Sequence, residues 1–329
     1  MNPHYDASKA HHTPQGFRNT APTRTRSTGD FLRWQRERRQ LDIAAPKIDL
    51  SAVTPELSFI RNNRTDFAVT YIGHATALVQ IGGTNVLTDP HFSERAFPVQ
   101  FAGPRRWQQP GVALAELPHI DVVLVSHNHY DHLDTGSIVA LHRQAGGPPL
   151  FLIPLGIDRW MQSVGVHNFR AMDWWQQHEV GALMVTMVPA QHWSRRTLSD
   201  RNQTLWGGFV GQTDGRSFYF AGDTGYGPDF VEIGKRFGGI DLALIPIGAY
   251  EPRWFMSDQH VNPEEAIRIH QDIKARTSVG IHWGTFPLTD EPLDQPLSDL
   301  AIARSKVGIG EDEFLTLRHG QTLKLKAKS

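Results

Sequence analysis

Ser126-His127-Asn128-His129-Tyr130-Asp131-His132-Leu133-Asp134 directly follows the apolar run of residues 122–125. Four of these residues, at positions 127, 129, 131 and 132, are of types that bind metal ions. On a tight loop after a strand, alternate side chains point to opposite sides, so His127 and His129 can share one metal ion while Asp131 and His132 reach another. Taken alone, the pattern is also compatible with a solvated surface loop.

Three further residues of metal-ligand type follow predicted strands in the same way: His192 after Leu183–Val188, Asp223 after Ser217–Phe220, and His282 after Ser278–Ile281. Any one of them alone is more often a structural residue. When several strands of a sheet end at the same edge, the residues that directly follow them come together at that edge. Together with the histidine-rich stretch, the three residues favour a metal site over a surface loop.

Short apolar runs bounded by Gly, Pro, Asn and Asp predict further strands at Ala68–Ile72, Ala77–Ile81, Asn85–Thr88, Val122–Ser126, Leu150–Ile153, Leu205–Val210 and Leu242–Pro246. Helices are predicted at Asp134–Gln144 and Asp229–Phe237. A third helix covers Ala266–Lys274, because Asn262-Pro263-Glu264-Glu265 has the composition of a capped helix start. The alternation of strands and helices predicts one mixed α/β domain over residues 61–329.

The composition restricts the class of protein. Cysteine is absent, which removes disulfides and thiolate ligands, whereas 17 histidines favour a metal held by imidazole and carboxylate. The formal net charge of −1 argues against a nucleic-acid partner. No signal-peptide pattern is visible, so we expect a cytoplasmic protein, with peripheral attachment to the inner membrane surface left open. A homodimer is compatible with these features.

The first sixty residues differ in character from the rest of the chain. Residues 1–28 lack an apolar period and predict a flexible arm. Residues 29–60 form a basic, aromatic segment that begins with a predicted helix over 30–41, where Phe31, Trp34 and Leu41 lie among four arginines. A helix of this kind suits an anionic membrane surface, which predicts peripheral membrane association through residues 29–41. The alternative is a solvated helix that docks its aromatic side chains on the domain.

In order and in strand context, these seven candidate ligands resemble those of the dizinc metallo-β-lactamase superfamily. The resemblance implies an αββα sandwich, with two mixed β-sheets flanked by helices. It also implies that His127, His129 and His192 hold a first zinc ion and that Asp131, His132 and His282 hold a second, with Asp223 as the bridge. Superfamily members that bind a di-iron pair typically have Glu at the position of His129, so zinc is favoured.

Several motifs resemble, more closely, the N-acylphosphatidylethanolamine-hydrolysing phospholipase D family: residues 71–76, 87–90, 126–134, 191–193, 220–226, 245–256 (IPIGAYEPRWFM) and 281–286. The similarity extends over roughly residues 30 to 320. It implies two zinc ions per chain and a phospholipid substrate, which is cleaved to phosphatidic acid and an N-acylethanolamine. By the same resemblance Asp131, Asp223 and His260 are catalytic, and Tyr130, Gln259 and His260 contact the substrate.

His74 and Asp89 are candidates to support the metal ligands, because a ligating imidazole needs a partner for its other nitrogen. Asp89 alternatively only caps the end of a strand. Three other functions remain open at this stage. They are a dizinc hydrolase of a small soluble lactone or cyclic phosphodiester, a nuclease of the same superfamily, and a non-catalytic metal-binding protein.

Overall fold

The computed structural model describes residues 1–24, 26–213 and 215–326. In chain order the elements are β1 (His12–Thr13), β2 (Gly16–Phe17), α1 (Thr28–Arg38), α2 (Leu57–Asn62), β3 (Ala68–Gly73), β4 (Thr76–Ile81), β5 (Thr84–Thr88), β6 (Val122–Leu124), α3 (Thr135–His142), β7 (Leu150–Pro154), α4 (Asp158–Ser163), β8 (Phe169–Met172), β9 (Gln177–Val180), β10 (Leu183–Val188), β11 (Gly208–Thr213), β12 (Arg216–Phe220), α5 (Asp229–Phe237), β13 (Ile240–Pro246), α6 (Arg253–Met256), α7 (Pro263–Asp272), β14 (Ala275–Ile281), α8 (Gln295–Val307), β15 (Phe314–Thr316) and β16 (Thr322–Lys324). A short 3-10 turn at Leu114–Glu116 precedes β6.

Two seven-stranded sheets form the body of the molecule. Their strand orders are β16-β3-β4-β5-β6-β7-β8 and β15-β14-β13-β12-β11-β10-β9. Both are mixed: β5 to β8 pair in parallel in the first sheet, as do β12 to β15 in the second, and the remaining neighbours are antiparallel. The parallel halves place the carboxyl ends of many strands at one edge, where the loops after them meet.

The first sheet is buried on both faces, and its side chains alternate between two cores. Tyr71 and Val79 point into the core shared with the second sheet, whereas their neighbours Ile72 and Leu78 point into an outer core. Helices α3 and α4 cover the outer core with residues such as Ile138 and Met161. On the outer face of the second sheet, α5, α7 and α8 pack their apolar residues. The predicted αββα sandwich is therefore confirmed.

Local capping chemistry explains why the predicted helix starts agree with the structure. The side chain of Asn262 accepts a hydrogen bond from the backbone N–H of Glu265, whose carboxylate bonds back to the N–H of Asn262. This reciprocal pair fixes the start of α7. Asp134 caps α3 through one half of such a pair, since its carboxylate accepts a hydrogen bond from the N–H of Ser137. The predicted α5 has the bounds found in the structure.

The strand predicted at Leu205–Val210 lies three residues further along, as β11. Leu205 and Trp206 are buried, but their backbone leaves the sheet because the N–H groups of Leu205 and Gly207 bond to the carbonyls of Leu155 and Ser126. Apolar residues in a buried loop gave the pattern of a strand. Strands β8, β9, β15 and β16 and helices α2, α4, α6 and α8 were not predicted, since most of them are short or partly polar.

The segment of residues 1–24 packs on the domain and differs from the flexible arm expected for residues 1–28. The buried carboxylate of Asp173 pairs with Lys9, with Nε2 of His11 at 2.7 Å and with Nε2 of His12 at 3.0 Å. Phe17 is buried, and its N–H bonds to the carbonyl of Asn202. An ion pair from Lys9 and contacts from two imidazoles to the distant Asp173 hold this segment in place. Contacts of this kind do not depend on a regular spacing of apolar residues within the segment, so the sequence pattern did not show them.

Helix α1 packs on the domain through Trp34. The indole ring stacks on Phe255 with centroids 5.0 Å apart, and its N–H donates to the carboxylate of Asp290 at 3.0 Å. Of the two arrangements expected for this helix, the structure shows the one in which its aromatic side chain docks on the domain. Phe31 and Leu32 nevertheless stay exposed on its outer face. Among the residues described, no helix is long and apolar enough to cross a membrane.

Candidate metal centre

Six strands end at the candidate metal centre and deliver its side chains. In the first sheet, β3 leads to His74, β5 to Asp89, and β6 to the loop that carries the histidine-rich stretch. In the second sheet, β10, β12 and β14 lead to His192, Asp223 and His282. Three of these residues, His74, Asp89 and His282, have positive φ angles of 56°, 28° and 64°. Such sharp turns immediately after a strand keep each side chain at the sheet edge.

A first cluster consists of three imidazoles. Nδ1 of His129 lies 2.8 Å from Nε2 of His127 and 3.2 Å from Nε2 of His192. Tetrahedral zinc with nitrogen ligands separates neighbouring donors by about 3.3 Å, given a Zn–N distance of roughly 2.0–2.1 Å. The three nitrogens therefore converge at a spacing that suits one metal ion.

A second cluster surrounds Asp131. Nε2 of His132 lies 3.3 Å from Oδ2 of Asp131 and 3.2 Å from Nε2 of His282, which is itself 3.5 Å from that oxygen. Asp223 lies between the two clusters. Its Oδ2 is 3.0 Å from Nε2 of His132 and 3.9 Å from Nε2 of both His127 and His192. The carboxylate thus stands where a bridging ligand would.

Hydrogen bonds to the outer ring nitrogens fix which nitrogen faces the centre. Nδ1–H of His132 donates to Asp89 at 2.6 Å, and Nδ1–H of His192 donates to the carbonyl of Gln259 at 2.9 Å. Because the hydroxyl of Ser126 donates to Asp89, Nδ1–H of His127 donates in turn to that hydroxyl oxygen at 2.8 Å. In all three imidazoles the lone pair of Nε2 is therefore directed into the cluster, as a metal ligand requires.

The electrostatics of the site favour positive charge between the side chains. Burial lowers the pKa of His127 and His192 well below the usual value and that of His129 to about 4, so these rings are neutral at neutral pH. Burial opposes ionisation of Asp223, but the adjacent His132 and His282 hold the pKa of its carboxyl well below the usual range. Neutral imidazoles and ionised carboxylates are the forms that bind metal ions. Burial disfavours protonation of His132 and His282, but the carboxylates of Asp223 and Asp131 raise the pKa of His132 well above the usual value and that of His282 to about 9. A metal ion would therefore replace a proton on each of these two rings.

The residues present fit a pair of divalent cations. Lone pairs on two ring nitrogens cannot face each other at about 3 Å without a proton or a cation between them. In addition, Oδ1 of the buried Asp223 makes no well-formed hydrogen bond among the residues that the structure describes, and its near neighbour is Nε2 of His282 at 3.3 Å. A buried carboxylate in this setting needs compensation, and metal ions held by the two clusters would provide it.

His74 and Asp89 both contact candidate ligands. Nε2 of His74 lies 3.0 Å from Oδ2 of Asp131, so His74 supports a carboxylate and not an imidazole. Asp89 accepts from His132 and also from the N–H and hydroxyl of Ser126, which ties the end of β5 to the loop after β6. Asp89 therefore contacts a ligand directly as well as closing a strand end.

A cavity of about 720 Å³ opens above the two clusters. Among its lining residues are the three expected to contact substrate, namely Tyr130, Gln259 and His260. Nδ1 of His260 lies 3.8 Å from Oδ2 of Asp223, and burial lowers the pKa of this imidazole to about 4. Tyr130 donates its hydroxyl hydrogen to the carbonyl of Arg196. The structure brings these residues together at the rim of the metal centre.

The walls of this cavity include residues that the sequence did not indicate as part of a site. Arg26, Phe31 and Trp34 come from the N-terminal part of the chain, and Arg195 and Arg201 lie beside Trp193. The guanidinium of Arg201 is 4.4 Å from the centroid of the Trp193 ring. Phe31 and Trp34 belong to the helix predicted over residues 30–41, but nothing in the sequence places that helix beside the ligand loops, and only the folded chain shows that these residues share one cavity with Arg195 and Arg201.

Comparison with known proteins agrees with the fold and identifies related proteins. The beta-lactamase superfamily domain matches residues 84–283. The chain is 40% identical over 268 residues to N-acyl-phosphatidylethanolamine-hydrolyzing phospholipase D 1 of Caenorhabditis elegans, which covers 77% of this chain and 74% of that protein. It is 39% identical over 240 residues to the mitochondrial enzyme of the same name from Saccharomyces cerevisiae, covering 71% of this chain and 51% of that one. An uncharacterized protein of Mycobacterium tuberculosis is 45% identical over 248 residues and matched over 65% of its length.

The chain thus spans about half the length of the yeast relative and just under two thirds of the mycobacterial one.

Solved structures share the architecture at lower sequence identity. A possible metal-dependent hydrolase from Veillonella parvula has a TM-score of 0.64 at 18% identity and covers 79% of this chain and 100% of its own. Isothiocyanate hydrolase from gut bacteria of Delia radicum has a TM-score of 0.63 at 23% identity, with the same coverage of both chains. At these identities the likeness extends to the fold alone.

Proposed function

This chain belongs to the metallo-β-lactamase superfamily of metal-dependent hydrolases, within the N-acyl-phosphatidylethanolamine-hydrolysing phospholipase D family, and on that basis we propose that it is a dizinc phosphodiesterase acting on N-acylated phospholipids. The products are an N-acylethanolamine and phosphatidic acid. His127, His129 and His192 hold one zinc ion, Asp131, His132 and His282 hold the other, and Asp223 contributes to both. When bound, the two ions supply positive charge beside the phosphate and lower the pKa of water toward neutrality.

The observation that carries the proposal is the composition of the cavity above the metal ligands. One part of its wall is apolar, with Phe31, Phe255 and Met256, and another part carries Arg195 and Arg201. An apolar wall suits acyl chains and arginines suit a phosphodiester, so the cavity fits an amphiphile with a phosphate next to the metal ions. A small polar substrate would leave the apolar wall without a partner.

The chain's own residues orient the phosphate in this scheme. The imidazole of His260 is neutral at neutral pH, because burial lowers its pKa to about 4, and it therefore offers one N–H group to a phosphate oxygen. The carbonyl of His260 accepts from Arg253 at 2.8 Å, which holds the residue in place. The carboxylates of Asp131 and Asp223, which line the cavity, would hold the metal ions at its floor and offset part of their charge. Tyr130 and Gln259 line the path by which substrate enters.

Peripheral membrane association through residues 29–41 is part of the same proposal. Phe31, Leu32 and Leu41 are exposed and lie among the exposed arginines Arg33 and Arg36. Helix α1 also forms a wall of the cavity, so a membrane surface that binds this face would present lipid at the entrance. Co-sedimentation with anionic vesicles tests this point, and we expect Leu32→Asp to weaken binding while leaving the metal content unchanged.

The experiment for the activity is hydrolysis of N-acylphosphatidylethanolamine in mixed micelles by zinc-loaded protein, with the products identified by mass spectrometry. Asp223→Asn is the test variant, and Asp312→Asn, an exposed carboxylate remote from the site, is its matched control. We expect both products from the wild type and the control, and at least a hundred-fold lower rate from Asp223→Asn.

Two results would redirect the proposal. If the protein binds two equivalents of zinc but leaves the phospholipid intact, the substrate class is wrong, and the small lactones and cyclic phosphodiesters become the substrates to assay. If the purified protein retains iron in preference to zinc, the metal is wrong although the ligand set stands.

A further inference from the structure

Asn19 uses its side-chain amide to hold the backbone of His192, one of the proposed zinc ligands. Its Nδ2 donates to the carbonyl of His192 at 2.9 Å, and its Oδ1 accepts from the N–H of the same residue at 3.1 Å. A primary amide that pairs with both backbone groups of one residue fixes the position and the rotation of that residue. Asn19 lies 173 positions before His192, outside the matched superfamily domain.

The remaining hydrogen-bonding capacity of Asn19 is also used. Oδ1 accepts a second hydrogen bond from the indole N–H of Trp206 at 3.0 Å, and Nδ2 donates a second one to the hydroxyl of Thr23 at 3.2 Å. An amide has two donor hydrogens and two acceptor lone pairs, so all four are engaged. Rotating the amide by 180° would set its NH₂ group against two donors. The orientation seen is therefore the one that the surroundings require.

The imidazole of His192 is held from the other side by a second segment that the N-terminus also binds. Nδ1–H of His192 donates to the carbonyl of Gln259, and the preceding Asp258 accepts from the backbone N–H of Arg24 at 3.1 Å. The guanidinium of Arg26 adds an ion pair to Asp258 at 3.4 Å and a hydrogen bond to the carbonyl of Phe255. The residues around position 20 thus connect the two protein segments that set the direction of the His192 ring.

From this geometry we infer that Asn19 is a positioning residue for the first zinc site, so that the N-terminal segment is a structural component of the metal centre. The inference rests on the zinc site of the proposed function. Partners that orient a ligating imidazole typically change metal affinity 10–100-fold when they are removed. Asn19 acts one step earlier, because it holds the backbone that carries the His192 imidazole and so determines where Nε2 of His192 would meet the ion.

The test compares zinc affinity in four proteins: the wild type, Asn19→Ala, Asn19→Asp and Thr20→Ala. Asn19→Asp has nearly the same shape but replaces the donor that bonds to the His192 carbonyl by a carboxylate oxygen. Thr20→Ala is the matched control, because Thr20 anchors the same segment through Asp229 and does not contact His192. Affinities are measured on metal-free protein by competition with a chromophoric chelator, and the ligand geometry is followed through the absorption spectrum of Co²⁺-loaded protein.

We expect both Asn19 variants to bind one of the two zinc equivalents about 10- to 100-fold more weakly and to show an altered Co²⁺ spectrum. Thr20→Ala should match the wild type in both measurements. If the Asn19 variants melt at a lower temperature but keep wild-type zinc affinity and spectrum, Asn19 is merely structural and the inference is overturned. It is also overturned if Thr20→Ala loses as much affinity as Asn19→Ala, since docking of the segment would then be the cause. A wild-type protein that binds no zinc would overturn the proposed function itself, a result distinct from either.

Discussion

Asp89 accepts a hydrogen bond from Nδ1 of His132 at 2.6 Å, and both side chains are fully buried. Asp89 also accepts from the N–H and the hydroxyl of Ser126, so both of its carboxylate oxygens are occupied. We expect Asp89→Asn to weaken zinc binding at the His132 site about 10- to 100-fold, because an amide NH₂ would oppose one of these donors. Chelator competition measures the effect. Asp121→Asn is the control, since Asp121 accepts from the N–H of Asn85 at the opposite end of β6.

The two clusters should lose their metal ions separately. We expect His192→Ala and His282→Ala each to retain about one zinc equivalent, because each removes a ligand from a different cluster. Metal content by mass spectrometry after dialysis against a weak chelator checks this. His178→Ala, on strand β9, serves as the control and should keep two. Loss of both ions from either variant would mean that the centre binds zinc only as a pair.

Trp34 is the residue by which helix α1 packs on the domain. We expect Trp34→Ala to lower the free energy of unfolding by about 3 kcal/mol, since it removes a buried aromatic ring and its hydrogen bond to Asp290. Urea denaturation measures the loss, and faster tryptic cleavage after the arginines of α1 would localise it. Leu32→Ala, on the exposed face of the same helix, should change the free energy by less than about 0.5 kcal/mol.

His319 should make the metal-free protein sensitive to acid. Burial lowers the pKa of its imidazole to about 3 in the folded chain, against 6.5 for a free histidine, and its Nε2 lies 2.9 Å from the Thr285 hydroxyl. Between these two pH values the unfolded chain binds the additional proton, so stability falls as the pH falls from 6.5 toward 3. The slope from this one group is about 1.4 kcal/mol per pH unit.

We therefore expect His319→Gln to flatten the dependence of unfolding free energy on pH across this window, measured by urea denaturation of chelator-treated protein. The substitution also changes packing, which alters the free energy of unfolding at every pH. The comparison therefore uses the slope of the unfolding free energy against pH and not its value at one pH. An unchanged slope would show that the imidazole of His319 is reached by water.

Gly16 allows the N-terminal segment to approach residue 202. A Cβ atom built on Gly16 would lie 2.0 Å from the carbonyl oxygen of Asn202, so Gly16→Ala must displace strand β2. Displacement of β2 should shift Asn19 as well, and we expect weaker zinc binding together with a lower melting temperature. Gly29→Ala is the control: nothing lies within 3.4 Å of its Cβ position, and alanine is favoured over glycine in a helix by about 0.5–1 kcal/mol.

The candidate ligand residues could be proposed from the sequence because each one follows a strand whose apolar pattern is local. Helix α7 was predictable for a similar reason, since Asn262 and Glu265 satisfy each other's backbone groups within one turn. Strand β9 was missed because half of its residues are polar and exposed, and it is defined by hydrogen bonding to β10. Patterns that depend on neighbours in the chain are visible in a sequence; pairings between distant segments are not.

The N-terminal segment is an example of pairing between distant parts of the chain. Residues 1–28 have no apolar period, and the sequence predicted a flexible arm on that ground. Their docking depends on Asp173 and Asn202, which are more than 160 positions away from the residues that contact them. Asn19 gives no signal of its own, because asparagine is common in turns and loops. A search restricted to metal-ligand types could not include it.

The hydrogen bonds between Asn19 and His192 also set an order of events during synthesis of the chain. At roughly 5–20 residues per second, a ribosome needs on the order of 10–30 s to add the 173 residues that separate the two. During that interval Asn19 lacks its partners His192 and Trp206, and the proposed first zinc site lacks one of its three imidazoles. The proposed first zinc site is therefore complete only after β10 and His192 have been synthesised, which places loading of this metal ion after that point in the synthesis of the chain.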